Sequence, residues 1–415
     1  MTAVRQRGAC PGLANPMATG DGLLARFTVA APMTPAIFAG LCEAAGQDGN
    51  GTMEISARGS LQVRGLTPDS APRFAAAVAD LGIAGDGTVV TSPLDGDPDA
   101  LIDGCALAVE LRDAIATAGF ALAPKVSVAI DTGGRLHLDA LAADIRLLAV
   151  DAARAPRVCV LIGGDAGPHA EQSLGSIAPS AAVAVVLALL RAIAAQRGRA
   201  ADLLRAAGGA IDPQAFGIID PAPALPRRAP AEPIGRHRLL DGMLALGVAL
   251  AFGHAAATTL ASLAREAAAL GARAITPAPG RALLLIGIAE ENAAALAEAA
   301  NRLGFVVDPE DPRRRVVACP GAPACASGLI ATRAIVANLA STRLPGDNAA
   351  IIHVSGCAKG CAHPAPAALT LVGSERGCGI VRNGTARDAP TRYVDPIRIA
   401  SELSSLAVMA EPAHD

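Results

Sequence analysis

The chain has 415 residues, 52% of them apolar and 18% charged, with a formal net charge of −3 at pH 7. Length and apolar content together allow several domains with sizeable cores and exclude a disordered chain. A near-neutral charge, no Trp and a single Tyr, Tyr393, supply neither the basic footprint nor the stacking surface of a nucleic-acid binder.

The opening MTAVRQRGACPG is charged with no apolar core after it, so it does not read as a signal peptide. The longest apolar run, Ala181 to Leu190, stops at Arg191 and is too short to span a bilayer; Pro179-Ser180 before it reads as the start of a buried helix. A cytoplasmic protein without a membrane segment is the expectation. Residues 1–20, with Pro11, Pro16 and several Gly, read as irregular. Leu23 to Ala30 reads as a strand, and Thr34 to Ala45 as a helix with Thr34 as N-cap and Pro35 in its first position. Met53 to Arg64 reads as a strand pair or one long bent strand, and Asp69 to Leu81 as a second helix. This βαββα run is a ferredoxin-like half-unit, assigned to residues 1–95. A first α/β module, residues 96–211, follows with a helix over Asp103 to Ala118 and a strand over Ala123 to Ile130.

Residues 212–238 hold Pro213, Pro221, Pro223, Pro226, Pro230 and Pro233 among several Arg, a density that reads as a linker without packed elements. The first run then recurs over residues 239–310: strand Gly242 to Phe252, helix Ala257 to Leu270, strand Ala274 to Ile288, helix Glu290 to Leu303. Residues 311–415 repeat the helix-then-strand order of the first module, with a helix over Ala326 to Leu339 and a strand over Ala350 to Ser355; the tail is helical at most over Pro396 to Val408. The fold class is therefore α+β, with duplicated ferredoxin-like half-units, two α/β modules and a pseudo-two-fold relation between the copies.

The second copy alone carries Cys319-Pro320-Gly321-Ala322-Pro323-Ala324-Cys325 and Cys357-Ala358-Lys359-Gly360-Cys361. Pro320 and Pro323 forbid a helix between the first pair, which places Cys325 at the N-terminus of the following helix, where the dipole favours thiolate. Four thiolates suit an iron–sulfur cluster or zinc; C-x5-C is wide for a zinc knuckle, and nine cysteines is an odd number for disulfides. Free thiols are the third reading. Cys10, Cys42, Cys105, Cys159 and Cys378 read as core or surface thiols. Lysine occurs twice, at Lys125 and at Lys359 inside the second cysteine motif. His353 and His363 bracket that motif, with structural roles expected. No GxGxxG or P-loop is present, and nothing suggests a bound flavin, so electrons for any redox centre come from outside.

The C-x5-C…C-x3-C order resembles the sulfite/nitrite reductase superfamily, whose four cysteines hold a [4Fe–4S] cluster beside a tetrapyrrole. VVACPGAPACASG, HVSGCAKGCAHPAPAALTLVG and GACPGLANPMATGDGLL look most like its precorrin-3B synthase branch, with the likeness running from Gly8 to about Val394. The resemblance implies that Cys319, Cys325, Cys357 and Cys361 bind a [4Fe–4S] cluster. It also implies oxygen-dependent hydroxylation of precorrin-3A with lactone formation in aerobic cobalamin biosynthesis, and an external donor, reduced pyridine nucleotide acting through a separate reductase. A mononuclear non-haem iron is implied as well, but its ligands cannot be placed. Sirohaem belongs only to the alternative, a sulfite or nitrite reductase; a zinc-stabilised binding protein without redox chemistry is the other.

An acidic tetrapyrrole needs Arg and Lys around an apolar floor. Arg58 and Arg64, six apart on the Met53 to Arg64 strand, share a face by period two; Ser56-Ala57-Arg58 is similar to the superfamily's T-x-R. Arg281 falls at a family Pro-x-Arg turn, and Arg26 corresponds loosely to another anion-binding arginine. Arg58 and Arg281 are expected to grip opposite sides of one macrocycle. Lys359 is expected to reach cluster or substrate. Lys125 resembles the first of two reductase lysines and is expected beside the reacting carbon; Ser127 stands where the second would be, which disfavours reduction of a small oxyanion.

Overall fold

Thr34 starts the first helix as its sequence requires: its hydroxyl accepts from the Ile37 N–H at 3.2 Å, and helix Pro35–Asp48 follows. The computed structural model describes residues 11–83, 88–151, 155–163, 171–225, 227–339, 351–399 and 402. Cys10 lies outside them, as does most of the expected tail helix, of which a short 3-10 turn, Pro396–Arg398, is described.

The Met53 to Arg64 stretch is a hairpin, strands Thr52–Ile55 and Leu61–Leu66. Its turn is closed by the Ser56 hydroxyl, which accepts from the Arg58 and Ser60 N–H groups at 3.3 and 3.1 Å. Gly59 in that turn has φ +80°, and a Cβ there would sit 2.9 Å from the Ala278 carbonyl carbon. The turn therefore rests directly on the backbone of the second half-unit, where Gly280 N–H donates to Ala57 O at 3.0 Å.

Met17–Thr19, Gly22–Phe27, Leu61–Leu66 and Thr52–Ile55 form an antiparallel sheet, so the irregular stretch expected at residues 1–20 ends in a short edge strand. The equivalent sheet of the second copy runs Gly235–Arg238, Leu244–Ala249, Ala282–Ile288, Ala274–Ala278. Each copy lends its neighbour the segment before its own first helix. His254–Ala256 pairs with Thr52–Ile55, and Met33 exchanges backbone bonds with Ile275 at 3.0 and 2.7 Å. One core, with Phe38, Leu41, Met53 and Phe74 against Leu260, Leu263, Leu283 and Leu296, serves both copies. Neither half-unit could bury that apolar face alone.

The two α/β modules share a strand plan. Val89–Thr91, Val128–Asp131 and Ile145–Val150 run parallel, and Arg157–Ile162 and Gln172–Ile177 continue antiparallel. Val316–Ala318, Ile352–Ser355 and Ala367–Ser374 likewise run parallel, with Gly377–Gly384 and Arg392–Val394 antiparallel beyond them. Helix Gly104–Ala118, capped by the Asp103 carboxylate on the Ala106 N–H, covers the first sheet with helix Ala182–Ala195. Among the described residues no single helix is long and apolar enough to cross a membrane.

Two expectations need correction. The proline-rich stretch is not free of packed elements: Gly235–Arg238 is a sheet strand, formed once the last proline, Pro233, is passed and every N–H can pair. The helix expected from Ala326 starts instead at Thr332. Residues before it spend their backbone groups elsewhere: Gly328 N–H donates to Cys325 O at 2.8 Å, Leu329 N–H to Gly356 O at 2.7 Å, and Ala322 N–H to Ile330 O at 2.9 Å. Cys325 is thus held in a turn, and the expected helix-dipole effect on it does not arise.

Candidate iron–sulfur and tetrapyrrole site

Val316–Ala318 and Ile352–Ser355 are adjacent parallel strands, so the loops leaving them, one with Cys319 and Cys325 and one with Cys357 and Cys361, start side by side at one sheet edge. The carboxyl edge of parallel strands is where α/β sheets open a crevice. The Gly356 N–H donates to Cys319 Sγ at 3.1 Å. A Cβ on Gly356 would lie 3.0 Å from Gly321 Cα, and one on Gly373 would lie 2.3 Å from Gly356 O, so the loops close on each other only because these positions lack side chains. Burial raises the Cys361 thiol pKa, and the nearby Cys357, Cys319 and Cys325 raise it further, with Lys359 opposing. The four sulfurs form one electrostatic group.

A zinc at about 2.3 Å from four thiolates holds the sulfurs about 3.8 Å apart. Among the described residues, the one trio of metal-type ligand atoms within 4.8 Å of one another is Asp131, His137 and Asp139, and no three of the cysteine sulfurs come that close. The chemistry and spread of this four-thiol set fit a multinuclear cluster. The Asp131 trio is already filled by a cation: Arg228 donates to Asp131 at 2.7 and 3.1 Å and to Asp139, which fastens the proline-rich segment to the first module.

Gly20-Asp21-Gly22 supports the first cysteine loop. A Cβ on Gly20 would meet Ala326 N at 2.5 Å. Arg64, 3% exposed, donates to both Asp21 oxygens at 2.9 and 3.0 Å and to the Ala324 carbonyl, between Cys319 and Cys325, at 2.8 Å. Burial alone would raise the Asp21 pKa, but Arg64 and Thr19 outweigh it and hold the carboxylate below its usual range. Breaking this pair leaves an uncompensated charge, so Arg64→Ala is expected to cost about 3 kcal/mol in urea unfolding. Arg64→Lys should recover only part of it, since one ammonium cannot span Asp21 and Ala324 together.

A cleft of about 380 Å³ opens onto the cluster loops, with Cys319 and Cys361 in its floor and Arg26, Arg64, Arg281 and Arg333 in its walls. Arg281 sits at φ +62° in its hairpin turn, and its burial lowers the guanidinium pKa, partly countered by Glu54. Among the described residues its guanidinium has no hydrogen-bond or ion-pair partner in the structure, so a desolvated cation faces the cleft. Arg333 is paired with Glu54, which also lies 3.8 Å from Arg64. His254 lines the same wall; burial, then Arg333, pushes its pKa down to about 4, so it is neutral near pH 7.

Arg26, Arg64 and Arg281 thus come together, while three other residues singled out in the sequence do not join them. Arg58 is exposed on the 56–60 turn and lines a separate, small pocket with Thr91 and Arg112. It occupies in the first copy the hairpin turn that Arg281 occupies in the second. Matching places in a duplicated fold thus line two separate pockets, and the structure does not bring the two arginines to one cleft. The shared face expected for Arg58 and Arg64 also fails, because the chain turns between them. Lys125 is exposed, at φ +75°, and lines no part of the cleft. It precedes its strand, whereas the cysteine loops follow theirs. Lys359 points away from the cleft and donates to Ser327 Oγ at 2.7 Å.

Arg333, Glu54 and His254 went unrecognised in the sequence. Arg333 could have been found as the second residue of the helix after the cysteine loop; His254 could not, since only the exchange of strands between copies brings it here. His353 is fully buried, edge-on to His363, outside the cleft lining. Burial pushes the Cys42 and Cys378 thiols up to about 12 and the Cys105 and Cys159 thiols up to about 11, which keeps all four protonated and unsuited to metal.

Fold and site define a protein of the sulfite/nitrite reductase-like class. Residues 15–81 match the nitrite/sulfite reductase ferredoxin-like half domain. The solved structure of the Mycobacterium tuberculosis NirA protein superposes with a TM-score of 0.71 over 95% of this chain and 82% of that one, at 19% identity, a likeness of fold. Within that class the chain belongs to the precorrin-3B synthase family: it is 39% identical to the precorrin-3B synthase of Sinorhizobium sp., over 100% of its own length and 91% of the relative's.

Proposed function

We propose that this protein is an oxygen-dependent oxidoreductase that hydroxylates precorrin-3A at the C20 meso carbon and leaves a γ-lactone from the ring A acetate. The observation that carries this reading is the cleft itself, with arginines in its walls and cluster-type cysteines in its floor. Precorrin-3A presents acetate and propionate carboxylates around a largely apolar ring. Arg281 is the prime anchor for one of them, because its charge is desolvated and unpaired before substrate arrives; a charge-assisted hydrogen bond contributes about 1.5–3 kcal/mol. Arg26 adds a second cation on the same wall. Arg64 acts through the protein, holding the Cys325 loop, and Arg333 is shared with Glu54.

Cys319, Cys325, Cys357 and Cys361 would hold a [4Fe–4S] cluster, which supplies single electrons when bound. Neutral His254 beside the cleft can accept a hydrogen bond from the bound substrate. The electrons come from reduced pyridine nucleotide through a separate reductase, in keeping with a chain that shows no nucleotide loop, and the reducing cytoplasm suits its free thiols. The reductase reading is less well supported, since the turn resembling the reductase lysines lies outside the cleft. The absorption spectrum of anaerobically purified protein tests the choice. A broad iron–sulfur shoulder without sharp haem bands is expected, and strong sirohaem bands would overturn the synthase reading.

A further inference from the structure

The duplicated fold builds its cleft a second time, in miniature. The arginine cleft takes Phe252 from after strand Leu244–Ala249, Arg281 from a hairpin turn, Pro320 from after strand Val316–Ala318, Arg333 from helix Thr332–Leu339 and Glu54 from the other copy's strand. A pocket of about 50 Å³ in the first copy repeats that plan element by element. Pro32 follows strand Gly22–Phe27, Arg58 is in the hairpin turn, Pro93 follows Val89–Thr91, Arg112 is on helix Gly104–Ala118, and Thr276 comes from the other copy's strand Ala274–Ala278.

Charge and hydroxyls are what this small pocket offers. Arg58 is exposed, and among the described residues its guanidinium has no hydrogen-bond or ion-pair partner. Arg112 is held in place by donating to the Ala30 and Val89 carbonyls at 2.6 and 3.0 Å. No carboxylate is among the lining residues; Asp95 lines a neighbouring cavity instead. Thr276, 8% exposed, carries a buried hydroxyl with no hydrogen-bond partner among the described residues, and so does Thr91 in the same lining. A buried hydroxyl left unpaired opposes folding, so two of them beside two guanidinium groups mark a place built to receive acceptor atoms.

We propose that this pocket binds one small tetrahedral oxyanion, of the phosphate or sulfate class. The donors stand on separate elements: Arg58 on the first copy's turn, Thr91 at the end of a module strand, Thr276 on the second copy's sheet. A carboxylate presents its oxygens on one side only, whereas a tetrahedral oxyanion meets donors arriving from several directions. The volume is that of a few waters, which admits such an ion and excludes a tetrapyrrole. The bound ion would tie the two copies together beside the point where Met33 and Ile275 exchange backbone bonds, and so would stabilise the folded chain.

Calorimetric titration of inorganic phosphate into the full-length protein, purified without oxygen and held at fixed ionic strength, tests this. The Arg281→Met form removes the unpaired cation of the larger cleft; in it one phosphate per chain should still bind saturably, sulfate should compete, and chloride should not. Arg58→Gln should weaken that binding roughly 10- to 150-fold and Thr276→Val about 2- to 10-fold. Without phosphate, Thr276→Val should unfold at the wild-type temperature or above it, and it should gain less than the wild type when phosphate is added. Binding that vanishes in Arg281→Met but survives in Arg58→Gln would place the ion in the cleft and overturn the proposal. So would the absence of saturable binding, or chloride acting as well as phosphate, which would mean an adventitious ion only. A Thr276→Val protein less stable than the wild type in phosphate-free buffer would show the hydroxyl already satisfied, and would overturn it too.

Discussion

Changing any one of Cys319, Cys325, Cys357 or Cys361 to alanine will reduce bound iron and acid-labile sulfide to near background, whereas Cys42→Ala or Cys159→Ala will leave both at the wild-type level. The expectation follows from how the two sets of thiols are placed. The four sulfurs sit in two loops leaving adjacent parallel strands, close enough that the other three raise the Cys361 pKa, and packed at glycines where any side chain would collide. Cys42 and Cys159 are buried, with thiols pushed up to about 12 and about 11, and have no thiolate to offer. Iron and sulfide are both counted, on protein purified without oxygen. A full cluster in Cys325→Ala would refute the ligand set.

The second large effect concerns Arg281. Replacing it with Met should weaken precorrin-3A binding roughly 10- to 150-fold, the equivalent of one charge-assisted hydrogen bond. The same change should leave the protein as stable as before, or more stable by about 1 kcal/mol, because a buried cation without a partner opposes folding. Arg58→Ala is the control: Arg58 is exposed and lines another pocket, so affinity should not change. Fluorescence-quench titration without reductant separates binding from turnover. An Arg281→Met protein that binds the substrate normally, or an Arg58→Ala protein that does not, would contradict the assignment of the cleft.

Much of the fold was legible because local rules and the global repeat agree. Thr34-Pro35 announces a helix start, Asp103 a second one, and the two copies repeat their element order, so each supports the reading of the other. The four cysteines stood out by their spacing and by the proline and glycine beside them, and adjacent parallel strands start their two loops side by side. What the sequence hid lies in geometry between distant segments. The hairpin turn at 56–60 separates Arg58 from Arg64, and nothing in SARGS distinguishes a turn from a bent strand. Pairing of His254–Ala256 with Thr52–Ile55, which brings His254 and Glu54 to one wall, is an exchange between copies that no local pattern encodes. Lys125 stood out for its rarity, but rarity says nothing about which end of its strand it occupies. Arg64 has the opposite lesson: it was picked as a ligand for substrate, and two of its three hydrogen bonds go to the oxygens of Asp21.

The central claim is that this chain places one atom of dioxygen into a tetrapyrrole bound beside the cysteine loops. Its most direct test is the mass spectrum of the product formed from precorrin-3A under isotopically labelled dioxygen, with an electron donor present. The account predicts one labelled oxygen atom in the product, retained after hydrolytic opening of the lactone, and the other in water. An unlabelled product, or conversion that proceeds equally well without dioxygen, would contradict it.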